Sequence, residues 1–469
     1  MHLTSRDRSQ ASALIDSHDG NVRLYRLTGS HFLNNKKQTR VERDEPRHRV
    51  LSEFARPSAF APFRTRNYRF QWPSDLLTSW AFEMETIILG WYVLVETGSV
   101  LLLTLFASLN YTGTLLAPLF GVIGDRIGHR DLLAAMRASY IVLAATLMAL
   151  ALSGHLNASY VLVIAALMGL VRPSDLGVRG ALVATIMPHD QLIGSIAVSR
   201  TTMDLARIAG GLSGAGLFAG SGLGPAYVVI VSLYVISTAL TLCVVVPAER
   251  RPSAESVSGA LQRSPFRDLR EGVDHVWTSP RMRAAIWIAF ITNLTAYPLT
   301  NGLLPYIARE IYDSNQTILG YLSAAFAIGS LIGSVTLSVV GSVRVARLMI
   351  ATTATWYLTL LLFARMPSIP AAMCSLTIAG ISQSMSMITI AVILMRTASE
   401  RFRGRVMGVR MLTIYGLPIG LLAAGSLIDH VGFVATATLY VAAGLAMLMA
   451  IAVHWRTDLL HLHAPANAK

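Results

Sequence analysis

Seven ionisable side chains sit inside runs of apolar sequence: Glu83 and Glu85 in one run, Arg172, Asp175 and Arg179 in a second, Asp204 and Arg207 in a third. A charge at bilayer depth is costly unless paired or hydrated, so each is a candidate for function. Glu83 and Glu85 stand two residues apart, about 200° around a helix, so only one of them can face a given cavity. Neither has a basic residue within a turn. A carboxyl in that position suits a group that binds and releases a proton; pairing with Arg172 or Arg179 is the competing role. Arg172, Asp175 and Arg179 share one helical stripe beside Pro173, which should kink the helix. Asp204 and Arg207 are expected to neutralise each other as an intrahelical ion pair. Asp175 and Asp204 stand next in line as proton sites.

Something must hold these groups at depth, and the composition says what. The chain has 469 residues, 53% hydrophobic and 14% charged, against roughly a quarter charged in soluble domains. Apolar segments long enough to cross a bilayer recur near 73–95, 100–120, 132–153, 160–186, 193–219, 224–246, 284–308, 317–340, 345–365, 369–395, 405–427 and 432–454. They are continuous rather than alternating, which disfavours barrel strands. The expected fold is an all-α polytopic membrane protein of twelve spans.

Basic residues fall in alternate loops: Arg126 and Arg130, then Arg250 to Arg283, then Arg344 and Arg347, then Arg401, Arg403 and Arg405. The loops "SGHLNAS" and "AGSGLG" between them have none, so both termini are expected in the cytoplasm. The longest hydrophilic linker divides the spans six and six. The expected plan is a polar, disordered cytoplasmic extension over 1–67, a six-helix bundle over 68–247, a cytoplasmic linker over 248–283, a second bundle over 284–455 and a cytoplasmic tail over 456–469. Glycines punctuate the fifth span, "GGLSGAGLFAG", and the eleventh, at Gly416, Gly420 and Gly425. Matched punctuation in two halves suggests a duplicated unit, the plan of a secondary transporter.

After the second span comes "GVIGDRIGHRD". Asp125 there lies close enough to pair with Arg126 or Arg130, or to face the positive end of a neighbouring helix. The stretch resembles the loop motif of the major facilitator superfamily, with Gly121, Asp125, Arg126, Gly128 and Arg130 in motif positions and His129 in place of an arginine. The resemblance implies two pseudo-symmetric six-helix bundles and a gating role for this loop: Asp125 would latch the halves together by facing the "RGRVMG" stretch that begins at Arg403. The second-half counterpart "GSVRVAR" has Ser342 near the acid's place, so the latch is expected on one side. "GWYVLVETGS", "MPHDQLIGSIAVSRTTMDLARIAGG" and "ERFRGRVMGVRML" are similar to the branch with enterobactin-type siderophore exporters and macrolide efflux pumps. Gly210-Gly211 stands where many antiporters of the family have Gly-Pro.

The second half is polar but nearly uncharged at depth. Asn293, Tyr297, Gln383, Met385 and Arg410 are the candidates for substrate contact, with Met387 beside them as adaptable apolar wall. The favoured function is proton-coupled efflux of a small amphipathic organic compound, drug-like or siderophore-like, by a monomer in a plasma or inner membrane. Uptake of a metabolite is the alternative within transport. A membrane-embedded enzyme is disfavoured, because no H-E-x-x-H, G-x-S-x-G or phosphate-binding G-x-x-x-x-G-K-[ST] stretch occurs. The net charge of +13 comes without any nucleic-acid-binding pattern. Two cysteines, Cys243 and Cys374, lack metal or redox spacing, so neither cofactor nor metal is expected, and the implied partners are a small-molecule substrate, lipid and protons.

Overall fold

The computed structural model describes residues 61–188, 191–246, 265–339 and 345–457, and every regular element in them is helical. Residues 1–60 of the extension, 247–264 of the linker, Ser342 and the tail from 458 lie outside the described residues.

The first half contains α1 (Arg66–Thr97), α2 (Val100–Ile127), α3 (His129–Leu152), α4 (Ala158–Ile186), α5 (Leu192–Ser221) and α6 (Leu223–Leu242). Next comes α7 (Pro265–Thr278), an amphipathic helix in what sequence suggested was plain linker. The second half contains α8, which starts as Pro280–Thr295 and continues to Ile311 in short pieces, then α9 (Gln316–Val339), α10 (Val345–Phe363), α11 (Ile369–Thr397), α12 (Glu400–Val431) and α13 (Phe433–His454). Among the described residues, nine of these helices are long and apolar enough to cross a membrane: α2, α3, α4, α6 and α9 to α13. The remaining three long elements have visible reasons to differ. Helix α1 carries Asp75, Glu83 and Glu85, α5 carries Arg200, Asp204 and Arg207, and α8 is broken.

Local sequence sets the helix ends. The Ser99 hydroxyl accepts the Leu102 amide at the start of α2, and the Asn157 side chain accepts the Tyr160 amide at the start of α4. Gly98 ends α1 at φ 65°, a conformation costly for a side chain with a Cβ. Within α8, Pro298 and Pro305 withhold amide donors, and the element finishes in a π turn at Ile307–Ile311.

Each half has its own apolar core, but Ile87, Trp91, Val100 and Ala215 of the first half belong to the core of the second. These residues lie toward the end of the bundle opposite the 121–131 loop. Closure there is tight. Gly302 lies against Leu421 and Ala107, Gly425 against Thr104, and Gly320 against Gly211 and Ala215, so an added methyl would collide in each case. Arg309 of α8 donates 2.8 Å to the Leu94 carbonyl at the end of α1, a cation on a helix C-terminus. At the loop end the arrangement reverses: the Ala117–Ile127 part of α2 packs on α3 and α4 within its own half. Halfway between, α2 and α12 both tighten into 3-10 turns, at Thr112–Leu116 and Thr413–Tyr415, and the Leu115 amide donates 2.6 Å to the Tyr415 hydroxyl.

Candidate functional site

Helices α1, α3 and α4 meet around four ionisable groups, Asp75, Arg137, Asp175 and Arg179. Arg137 Nη2 lies 2.6 Å from Asp75 Oδ1, Arg179 Nε lies 3.3 Å from the same oxygen, and Arg179 Nη2 lies 2.6 Å from Asp175. Gln71 donates 2.7 Å to Asp75, Ser79 accepts from Arg179, and Ser74 and Thr241 accept from Arg137. Arg137 is 0% exposed and Asp175 1%. Two acids and two bases make the cluster neutral, which is the condition for charges to persist at such burial.

One turn further along α1, the two glutamates part. Glu85 turns into the first bundle, where the hydroxyls of Tyr234 and Tyr227 donate to it at 3.0 and 3.3 Å. Glu83 turns toward the second half. It pairs with Arg207 of α5 at 3.5 Å, and both side chains are about 30% exposed. Close approach of α5 makes this possible: a Cβ on Gly210 would strike the Cβ of Glu83, and one on Gly214 would press on Met84. Here the expectation for Asp204 and Arg207 is corrected. Arg207 reaches across to α1, while Asp204 takes the Ser330 hydroxyl at 3.3 Å and lies 3.9 Å from Arg200, one turn back on α5. Pairing of either glutamate with Arg179 is also corrected, since the Asp75 and Asp175 carboxylates occupy that guanidinium. Among the described residues Arg172 makes no ion pair within 4 Å; it donates to Asn110 at 2.9 Å and Thr86 at 3.2 Å and lies 4.1 Å from the Phe82 ring centre.

Between the halves lies a cavity of about 60 Å³, enough for a few waters. Glu83, Thr86 and Arg207 form its first-half wall; Thr300, Asn301 and Ser323 face them, with Phe106, Pro305 and Phe326 between. Of the residues expected to contact substrate, Tyr297 and Gln383 form a pair, the amide donating to the hydroxyl, with Tyr297 edge-on to Trp356 at 5.0 Å. Asn293 spends its amide on the Ala289 carbonyl of its own helix, 2.8 Å away. Met385 is half-buried, and Arg410 of α12 donates 3.3 Å to the Met387 carbonyl.

The loop motif is parted from its expected partner in this conformation. Asp125 is half-exposed and 3.6 Å from His129, and Arg130 lies 3.5 Å from Asp131. Arg403 lies 3.6 Å from Glu400. Gly128 takes φ 92° at the α2–α3 turn, and Gly124 gives room to the His129 ring. Gly121 and Arg126 are exposed. Helix α7 docks at the start of α12 instead: Glu271 lies 2.9 Å from Arg405, and His275 stacks on Phe402 at 4.3 Å.

Two helical halves packed tightly at one end around a small, mostly apolar cavity with the Glu83–Arg207 pair on its wall fit a membrane solute carrier. Residues 74–417, and again 286–468, match the profile of the Major Facilitator Superfamily, and the chain belongs to that family. It is a transporter rather than an enzyme. The multidrug efflux pump Tap of Mycolicibacterium fortuitum is 28% identical over 182 residues, 38% of this chain and 43% of the pump. The Tap pump of Mycobacterium tuberculosis strain H37Rv is 29% identical over 172 residues, 36% of this chain and 40% of the pump. The match therefore spans less than half the length of these relatives. Among solved structures, the nucleoside transporter NupG superposes with a TM-score of 0.64 at 14% identity, covering 84% of this chain and 99% of its own. The human organic anion transporter MFSD10 does so at 0.60 and 16%, covering 83% and 99%. At such identities the likeness concerns the fold alone.

Proposed function

We propose that this transporter exports a small amphipathic organic compound by alternating access and is driven by proton entry, with Glu83 as the proton site. The observation that carries the reading is the Glu83–Arg207 pair, an ion pair between α1 and α5 placed on the wall between the two halves. Protonation of Glu83 removes its charge from a space that closes when the halves move, where an unpaired charge is costly. Arg207 then turns its charge to Asp204, three residues back on the same helix. Asp204 is bonded to Ser330 on α9, so the exchange of partners is felt at the seam between halves. The similarity to multidrug efflux pumps supports the direction and the substrate class.

In this reading the chain crosses a plasma or inner membrane twelve times as a monomer. The loop end and both termini are cytoplasmic, so the conformation described is open to the cytoplasm with the Asp125 latch released. Substrate taken from the cytoplasm carries this state to the outward-open one, in which the cytoplasmic side closes and Asp125 meets the start of α12 near Arg403. A proton from outside then neutralises Glu83, frees it of Arg207 and returns the protein to the state open to the cytoplasm, where the proton leaves and the pair re-forms. The test is flux of fluorescent amphipathic compounds in proteoliposomes with an imposed pH gradient. Transport that follows the gradient and stops with a protonophore is expected. Flux indifferent to the gradient rejects proton coupling, and accumulation in the direction of the protons indicates uptake.

A further inference from the structure

Two of the seams between the halves are built differently. At one, α5 and α9 run unbroken over Leu192–Ser221 and Gln316–Val339. They stay in contact from Gly211, packed on Gly320 and Ser323, to Asp204, whose carboxylate lies 3.3 Å from the Ser330 hydroxyl. At the other, α2 and α12 are both interrupted, and the interruptions meet. The pieces far from the loop end, Val100–Leu109 and Gly416–Val431, pack together, with Gly425 against Thr104 and the Ser108 hydroxyl 3.3 Å from the Pro418 carbonyl. Next toward the loop end come the two 3-10 turns, joined by the hydrogen bond from the Leu115 amide to the Tyr415 hydroxyl.

The two turns reach one construction from different sequences. In "TGTLLAP", Pro118 has no amide for the Thr114 carbonyl, so the Ala117 amide takes it in a tighter turn. In "TIYGLP", Pro418 likewise has none for Ile414, and the Gly416 amide bonds the Thr413 carbonyl three residues back. The hydroxyls of Thr112, Thr114 and Thr413 take the carbonyls of Leu109, Tyr111 and Arg410, again three residues back. Both turns are fastened to their own half: a methyl on Gly113 would strike the Leu170 carbonyl of α4, and one on Gly416 the Phe290 carbonyl of α8. On the loop side of the turns the helices are lightly held. Of Ala117–Ile127 only Gly124 is buried, and of Arg403–Leu412 only Val406 and Val409, against six of the ten residues in Val100–Leu109. A 3-10 turn between a fixed piece of helix and a loose one has the makings of a hinge.

We infer that the loop-end pieces of α2 and α12 are levers that swing on paired hinges at Thr112–Leu116 and Thr413–Tyr415, while the α5–α9 seam keeps its packing. This rests on the alternating-access part of the reading above, and on neither its proton nor its substrate. The gate at the loop end then opens and closes on one side of the molecule. A lever of about 15 Å turned through about 25° moves its tip by roughly 6–7 Å, and the α2 lever carries Asp125 with it.

Spin-label distances from double electron–electron resonance on the full chain test it, with the exposed Cys243 and Cys374 replaced by serine. One label pair spans the levers, at the exposed Ile127 and at Gly404, where a side chain meets open space. The other spans the unbroken seam, at the exposed Ile196 and Val335. Between acidic and mildly alkaline pH, with and without rhodamine 123, the lever pair is expected to shift by about 5 Å or more and the seam pair by less than about 2 Å. P118A restores an amide to the ladder, so it should shrink the lever shift at least about twofold with thermal stability unchanged or raised, which separates a stiffened hinge from a damaged fold. Equal shifts of the two pairs, or a P118A variant that swings like the wild type, overturn the hinges and leave alternating access standing. If both pairs hold a single distance in every condition, alternating access fails and the hinges with it.

Discussion

The two halves share one plan and hold their polar groups in opposite ways. In the first, Asp75, Arg137, Asp175 and Arg179 form a buried ionic cluster, with Glu83–Arg207 beside it. In the second, neutral pairs do the corresponding work: Gln383 with Tyr297, Thr353 with Ser386 at 2.6 Å, Thr295 with the Tyr357 hydroxyl at 2.7 Å. Removing one partner of a buried ion pair leaves a full charge stranded, whereas removing one partner of a neutral pair leaves a dipole. The first half is therefore suited to respond to a proton, and the second to offer a wall whose shape does not depend on charge state.

The comparison is most directly broken by stability measurements. Arg137→Gln should lower the stability of the purified protein by about 3–5 kcal/mol, because the one charged partner Asp75 keeps is the more distant Arg179, beside the neutral Gln71 amide. Gln383→Leu should cost about 1 kcal/mol. Equal losses in thermal unfolding would mean that the ionic cluster is no more critical than the neutral pairs.

Transport sharpens it next. Glu83→Gln should reduce uphill, gradient-driven flux by at least about tenfold while downhill exchange persists, the signature of a lost coupling step rather than a lost site. Glu85→Gln should keep uphill flux and reduce folded protein, since Glu85 is held by two tyrosines away from the cavity. Full uphill transport by both variants would remove the proton from α1.

The mildest expected effect lies at the loop. Asp125→Asn should slow transport a few-fold and change stability by no more than about 0.5 kcal/mol, because the carboxylate is half-exposed here. Cysteine labelling should shift toward the conformation open at the loop end. Unchanged flux and labelling would leave Asp125 as a topology signal.

Hydropathy made the helical architecture legible, and the loop motif with the six-six division made the family legible. Within the site, sequence picked out Glu83 and Glu85 because no cation accompanies them on α1. It passed over Asp75 and Arg137. Asp75 stood two residues inside the expected span at 73–95, and Arg137 five inside that at 132–153, where both read as boundary residues. The helices begin earlier, at Arg66 and His129, and that shift carries both groups into the interior. Spacing on one helix also misled at Asp204 and Arg207: i, i+3 geometry permits a pair, but the glycine face of α5 brings Glu83 closer. Which helices become neighbours has no local signature. The one available clue was Arg137 itself, two turns past Arg130 and therefore too deep to serve as a flanking charge.

The buried cluster also bears on how the chain is made. Helix α1 leaves the ribosome with three carboxylates well inside it, Asp75, Glu83 and Glu85, and the arginines that pair with Asp75 and Glu83 are encoded later: Arg137 on α3, then Arg179 on α4 about a hundred residues downstream, then Arg207 on α5. At roughly 5–20 residues per second, α1 waits on the order of 5–20 s before Arg179 exists. During that interval lipid is a poor solvent for it. On this reasoning α1 is expected to be among the last helices of its bundle released into the bilayer, held in a sheltered, hydrated place until α3 and α4 arrive to neutralise it.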